Sequence, residues 1–188
     1  MVLLFTIPKP FKGHIRTIQY NAMKSWTLLG SAVKVVLFGN EEGSSSVAKQ
    51  LGIQHIPDVL CNDLGTPIIS DVFSKARFLA DETELLCYVN ADIILTDKFL
   101  QSIERARAKK KSLLMIGQRW DIEQREFIEF TTGWQDRRLK RVSKEGALHP
   151  ETDSPGDRVF DLDNPWAAVK AHLLAGLATA LRCQCILL

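Results

Sequence analysis

Five short apolar runs, separated by four stretches that read as helices, constrain this chain more than any other feature. Val2 to Ile7, Val33 to Phe38, Ile53 to Ile56, Leu85 to Val89 and Leu113 to Ile116 are strand-length and, apart from isolated polar residues, apolar. A strand with two apolar faces needs cover on both, and the segments between the runs supply it. Ile15, Ile18, Ala22, Trp26 and Leu29 fall on one helical face closed by Gly30. Ser44 to Leu51 reads as a short helix with Gly52 after it, and Ile68, Ile69, Val72, Phe73, Ala76, Leu79 and Ala80 form a helical stripe. Thr96 caps a further helix with Phe99, Leu100, Ile103 and Ala106 on its buried side. The alternation predicts an α/β fold, a mostly parallel sheet flanked by helices on both faces in the Rossmann-like manner.

Composition agrees. The 188 residues are 46% hydrophobic and 24% charged with a net charge of +2, which excludes wholesale disorder, and four cysteines are too few for a disulfide scaffold. Ala171 to Leu181, between Lys170 and Arg182 and containing His172, is too short to cross a bilayer, and Val2 to Phe5 is too brief for a signal peptide. The expected location is cytoplasmic. Charge is segregated: +5 over residues 1–40, −6 over 41–103, +6 over 104–144 and −3 over 145–188. Such a pattern suits a phosphate-facing edge beside a cation-binding one, and equally suits solvated helix faces.

Past residue 120 the periodicity weakens. Gly133 to Gly146 reads as a basic, polar helix or loop, His149 to Asp163 is turn-rich with Pro150, Pro155 and Gly156, and Trp166 to Leu181 reads as a terminal helix. Residues 1–150 are therefore expected to form the ligand-binding domain, and 151–188 a divergent turn-rich segment with a terminal helix.

No G-x-G-x-x-G follows the first strand and no G-x-x-x-x-G-K-[ST] occurs, which disfavours a dinucleotide dehydrogenase and a P-loop nucleotidase. Ligands of such sheets still bind at the C-terminal strand ends. There the chain places Thr6, Pro8 and Lys9, then Asn40, Glu41 and Glu42, then Asn90-Ala91-Asp92, and finally Arg119-Trp120-Asp121. Asn90 and Asp92 are two apart, so they share one side of an extended segment. Ile93-Ile94-Leu95 follows at once, so the pair is set in buried chain, where a carboxylate needs a partner, hydrogen bonds or a cation. An Asp closing a turn on backbone N–H groups meets the same need.

Tyr88-Val89-Asn90-Ala91-Asp92, closing the fourth strand, resembles the D-x-D-type motif of the GT-A fold nucleotide-diphospho-sugar transferases, in particular glycosyltransferase family 2-like members. Asn62-Asp63-Leu64-Gly65-Thr66-Pro67 is similar to the segment that precedes the motif strand there. Phe5-Thr6-Ile7-Pro8-Lys9-Pro10-Phe11 with Gln19, Asn21, Ser25 and Trp26, and Gly117-Gln118-Arg119-Trp120-Asp121, resemble an uncharacterised branch of the family. The similarity covers about residues 2–150 and fades near His149-Pro150, as in a C-terminally truncated or divergent member. The resemblance implies a glycosyltransferase that binds a nucleotide-diphospho-sugar donor and passes the sugar to an unknown acceptor with Mn²⁺ or Mg²⁺. It implies that Thr6 and Pro8 line the nucleoside pocket, that Asn40 or Glu41 contacts base or ribose, and that Asn62 and Gly65 belong to the donor-binding set. Asp92, helped by Asn90, would hold the metal. Asn90 stands where the family usually has Asp, which removes one negative charge from the metal site. Asp121 is the candidate general base for the acceptor hydroxyl, and Trp120 beside it would stack on a sugar; core packing for Trp120 and a turn for Asp121 fit the same residues.

His14 with Lys9, Lys12 and Arg16 suits either phosphate at a helix N-terminus or plain surface. The runs Lys109-Lys110-Lys111 and Arg137-Arg138-Lys140-Arg141 lack interleaved aromatics and are read as exposed faces, so no nucleic-acid partner is expected. Cys61 and Cys87 have no metal-ligand spacing, and Cys87 reads as a small buried hydrophobe. Cys185-Ile186-Leu187-Leu188 matches a prenylation pattern without an upstream polybasic run, and membrane association is not expected. A non-catalytic binding or scaffold relative is the alternative function. A sugar nucleotidyltransferase would need a Gly-rich basic loop that Pro8-Lys9-Pro10-Phe11-Lys12-Gly13 does not supply.

Overall fold

The computed structural model describes residues 1–81, 85–109, 113–116, 120–145, 147–148, 158–161 and 185–187. Strand β1 (Val2–Thr6) is buried at every residue and sits in the middle of the sheet, flanked by β2 (Val33–Phe38) and β4 (Leu85–Val89), both parallel to it. Strand β3 (Gln54–Ile56) adds in parallel outside β2, so the first four strands run in the order 3-2-1-4. The expected α/β architecture with its parallel sheet is what the chain forms.

The connections explain the two covered faces. Helices α1 (Gly13–Thr27) and α2 (Ser44–Leu51) carry the chain outward from β1 to β3 on one face. Helix α3 (Ile69–Leu79) must then bring it back past β1 to β4, and it does so on the other face, as right-handed crossovers require. The direction of travel reverses between β1 and β4, and Asn90 and Asp92 lie just past the C-terminal end of β4. Alternate residues of β1 serve the two layers. Val2 and Leu4 pack with Ala22, Met23 and Trp26 of α1, Val47 and Ala48 of α2, and Ile103 and Ala106 of α4 (Asp97–Lys109). Leu3 and Phe5 pack with Val36, Phe38 and Leu86 and with Val72 and Ala76 of α3. Burying side chains of this size contributes about 1.5–3 kcal/mol each, so the double-faced strand anchors the molecule.

Boundaries differ by a residue or two from those expected, for physical reasons. Strand β1 stops at Thr6, ahead of Pro8, which has no N–H to donate to a ladder. Helix α1 ends at Thr27 with Leu28 as its C-cap, so Gly30 (φ 86) serves the turn into β2 instead of capping the helix. Gly52 does cap α2, in the left-handed region at φ 66, with its N–H directed at the Ala48 and Lys49 carbonyls. Gly43 meets two demands at once. Its φ is 88, and a Cβ there would lie 2.8 Å from Cβ of Phe11, whose N–H donates to the Glu42 carbonyl at 2.8 Å. That contact holds the loop after β1 against the loop after β2.

The later part of the chain departs further from expectation. Strand β5 (Leu113–Ile116) does not pair with β4 directly. Strand β9 (Cys185–Leu187), from the segment expected to be turn-rich and helical, lies between them and is antiparallel to both. Strand β8 (Arg158–Asp161) pairs antiparallel outside β5, which completes a seven-stranded order 3-2-1-4-9-5-8. Residues 158–161 and 185–187 are therefore part of the sheet. Neither run is long enough to announce itself by periodicity; their strand character comes from pairing with distant partners. The helix expected over Trp166–Leu181 lies outside the described residues. Strands β6 (Trp120–Asp121) and β7 (Ala147–Leu148) form a separate two-stranded pair, and the basic stretch after Gly133 is a helix, α5 (Trp134–Glu145). Among the described residues no helix is long and apolar enough to cross a membrane.

Candidate functional site

Helix α1 buries polar groups as well as apolar ones. Gln19, Asn21 and Ser25 are buried with Trp26, and each is paired with a loop at the same end of the sheet. Gln19 accepts the Lys9 N–H at 2.7 Å and donates to the Lys9 carbonyl at 2.8 Å, gripping the chain just after β1. Ser25 Oγ accepts the Leu95 N–H at 3.0 Å and donates to the Ala22 carbonyl at 2.6 Å. Trp26 Nε1 donates to the Ile93 carbonyl at 2.8 Å. Asn21 donates to the Glu126 carbonyl and accepts from the Ile128 N–H, both at 2.9 Å, although these lie more than 100 residues along the chain. A single helix thus holds the segments after β1, after β4 and after β6. The residue types were visible in the sequence, but their partners were not. The available signal was their place beside Ala22 on the buried stripe, where polar side chains must be satisfied.

On this frame lies a cleft of about 560 Å³, within the usual size of small-ligand sites. Its charged and aromatic lining comes from six places: His14 from α1, Asp92 from the turn after β4, Lys98 from α4, Trp120 and Asp121 from β6, Glu123 from the segment after β6, and Arg138 from α5. Ile18, Leu95, Phe99 and Met115 provide apolar wall. The turn bearing Asp92 is closed by the Ile93 N–H donating to the Asn90 carbonyl at 3.1 Å, which turns the exposed Asp92 side chain outward from the strand end. Trp120 is 52% exposed, so its ring presents itself to solvent in the cleft instead of filling the core.

Two groups register the local electrostatics. Tyr88, the last residue but one of β4, has its hydroxyl pushed up to about 12, chiefly by burial and then by the negative charge of Asp92. Arg138 is shifted downward by burial and by the neighbouring Arg141 and Arg137. Its Nη1 donates to Gln124 Oε1 at 2.5 Å, the same oxygen that accepts from Arg141 Nη1 at 3.0 Å.

The residues singled out from sequence fall into groups. Asp92, Asp121, Trp120 and His14 come together in the cleft, from positions as far apart as 14 and 121. Asn90 is half-buried at the end of β4, engaged in interactions of its own, and outside the cleft lining. Thr6 and Pro8 are buried and Glu41 half-buried, with Asn40 exposed, all at the ends of β1 and β2 and not in the cleft wall. Thr6 Oγ1 is fully buried and has no hydrogen-bond partner among the described residues. Asn62 and Gly65 build an exposed turn, in which Asn62 Oδ1 accepts the N–H groups of Leu64 and Thr66 at 3.0 and 2.9 Å and Gly65 takes a φ of 76. That carboxamide oxygen is therefore used within its own loop. Gly117 to Arg119 lie outside the described residues. Lys98 and Arg138 line the cleft without having been expected there, because nothing local separates them from other basic residues on helix surfaces.

Among the described residues there is no group of three or more His, Cys, Asp or Glu side chains placed to hold a metal ion. No protein-family model matches this chain, and no curated protein sequence matches it significantly.

Proposed function

We propose that this protein binds a nucleotide-diphospho-sugar in the cleft beyond β4 and transfers the sugar to an acceptor hydroxyl, as a glycosyltransferase-like α/β domain. The observation that carries the reading is convergence: Asp92, from the turn after β4, and Trp120 and Asp121, from strand β6, line one cleft beyond the C-terminal end of β4, next to the point where the sheet reverses direction. In this reading Trp120 stacks on a sugar or base, and a carboxylate oxygen of Asp121 takes the proton from the acceptor hydroxyl. Asn40 and Glu41 would meet the nucleoside only where it extends beyond the cleft wall, and the buried Thr6 and Pro8 would support that edge from beneath. Asn62 and Gly65 lie outside the cleft lining.

The donor set bears on the cation. One exposed carboxylate, Asp92, with a neutral amide nearby does not make a resident metal site. It does suit Mg²⁺ or Mn²⁺ that arrives with a diphosphate, since such ions are commonly held by one or two carboxylates plus phosphate oxygens and water. Asp92 would hold the ion, which when bound would offset charge on the leaving diphosphate. The same single carboxylate favours a second reading, a non-catalytic relative that retains the sheet as a binding or scaffold module.

Calorimetric titration of UDP and GDP, with and without Mn²⁺, separates the two. Binding is expected to tighten with Mn²⁺, and Asp92→Asn is expected to lose about ten- to a hundredfold of that gain. Asn90→Asp should enlarge it by adding a second charge. Wild type that binds neither nucleotide at millimolar concentration would leave the transferase reading without support. Binding that ignores Asp92→Asn would favour the non-catalytic one.

A further inference from the structure

The cleft holds a guanidinium, Arg138, whose surroundings differ from those of its neighbours on α5. Three arginines lie close together on α5, but only Arg138 faces the cleft. Arg137 turns away, donating to the Thr132 carbonyl at 2.8 Å and to Thr131 Oγ1 at 2.7 Å. Arg141 has a carboxylate of its own, Glu145, at 2.8 Å, and also donates to the Glu123 carbonyl at 2.6 Å. Arg138 donates instead to the neutral Oε1 of Gln124, and among the described residues it has no ion pair with a carboxylate.

The consequence is physical. Two guanidinium groups converge on one amide oxygen, which orients both and neutralises neither. Arg141 is balanced by Glu145, and Arg138 is left half-buried at a cleft that holds Lys98 and His14 as well as the exposed carboxylates Asp92, Asp121 and Glu123, none of which is paired with it among the described residues. The downward shift of Arg138 has the same origin, partial loss of water together with two positive neighbours. A guanidinium in this condition gains most from an anion with paired oxygens, since the fork of N–H donors matches phosphate geometry and little side-chain freedom remains to be lost. Gln124, held between the two arginines, fixes the fork before any ligand arrives.

We propose that Arg138 is the oxyanion receptor of the cleft and contacts the diphosphate of the donor directly, so that part of the phosphate affinity does not depend on a divalent cation. This rests on the nucleotide-diphospho-sugar reading for the identity of the ligand, but the anion site can be tested apart from it. Inorganic pyrophosphate probes the site alone, and UDP probes it with a nucleoside attached.

Both are titrated calorimetrically into the full chain in EDTA and again in Mn²⁺, for wild type, Arg138→Gln, Arg138→Lys and Arg137→Gln, with thermal unfolding to verify that each variant is folded. Wild type is expected to bind pyrophosphate in EDTA. Arg138→Gln should weaken it about ten- to a hundredfold, Arg138→Lys should weaken it less, and Arg137→Gln should leave it almost unchanged. Equal losses in Arg137→Gln and Arg138→Gln would overturn the proposal, since the effect would then be general charge. So would binding that appears only with Mn²⁺ and ignores Arg138, although the donor reading would survive that result. Arg138-dependent binding of pyrophosphate with no added affinity for UDP would support the anion site and remove the donor reading.

Discussion

The two faces of the sheet are built on different principles. Under α3 the contact is aromatic and dry: Phe5 meets Phe38, Phe73 and Tyr88 edge-on, with ring centroids 6.0, 5.0 and 5.7 Å away. Under α1 the same sheet meets Ala22, Met23 and Trp26, but Gln19, Asn21 and Ser25 are buried with them and bond to loops. The α3 face closes a core and supports no part of the cleft. The α1 face closes a core and also fixes the segments after β1, β4 and β6, the last two of which contribute to the cleft wall. Apolar packing alone tolerates small shifts of a helix, because it has no preferred direction. Paired amide and hydroxyl bonds do not tolerate them, since a lost partner leaves a buried group unsatisfied. The polar face is where position matters.

The largest effect that tests this contrast lies on the dry side. Phe5→Ala should destabilise the fold by about 3–5 kcal/mol, the usual result of emptying a phenylalanine site in a packed core. Measured by denaturant midpoint, that loss should be global, with ligand affinity at the cleft unchanged wherever the variant remains folded. A cleft that weakens in step with stability would mean that the α3 face supports the site after all.

Asn21→Ala should cost less overall and do more locally. It leaves the Ile128 N–H without its partner and removes one of two bonds to the Glu126 carbonyl, which keeps Gln124 Nε2 at 2.6 Å, for a combined loss of about 2–4 kcal/mol. The Ile128 amide should exchange with solvent far faster in the variant, while amides of β1 and β2 keep protection appropriate to the remaining global stability. Unchanged exchange at Ile128 would show that the 126–128 segment is held by something other than α1.

The same contrast marks how far the sequence could be read. Apolar runs announced β1, β2, β4 and β5 because a strand with two dry faces leaves a continuous signature. Asp92, Trp120 and Asp121 drew attention because they stand where such runs end. Strand β9 had no comparable mark: Cys185, Ile186 and Leu187 become a strand by lying between β4 and β5, a pairing that spans almost 100 residues. Asn21 likewise looks like any residue beside a helical stripe until residue 128 arrives beside it. Arg138 sits in a basic run that reads as solvated surface, and only the fold separates it from Arg137. Information carried by local spacing was legible. Information carried by long-range pairing was not.

Tyr88 joins the two faces and gives the smallest of the three expected effects. Its ring belongs to the aromatic cluster under α3, yet its hydroxyl senses the charge of Asp92 at the cleft. Burial first, and that charge second, push it up to about 12 from an ordinary value of 10.0. The folded state therefore favours the neutral phenol. Its contribution to stability is full below pH 10, begins to fall as the unfolded chain ionises there, and is lost as pH rises through about 12, an interval worth roughly 2–3 kcal/mol. Tyr88→Phe has no proton to lose, so its denaturant midpoint should decline less than that of wild type between pH 9 and 12, while other groups titrate equally in both. Asp92→Asn should remove only the smaller, electrostatic share of the difference, leaving the part due to burial. Parallel decline of wild type and Tyr88→Phe would mean that the phenol reaches water in the folded state, and the face under α3 would then be neither dry nor separate from the cleft.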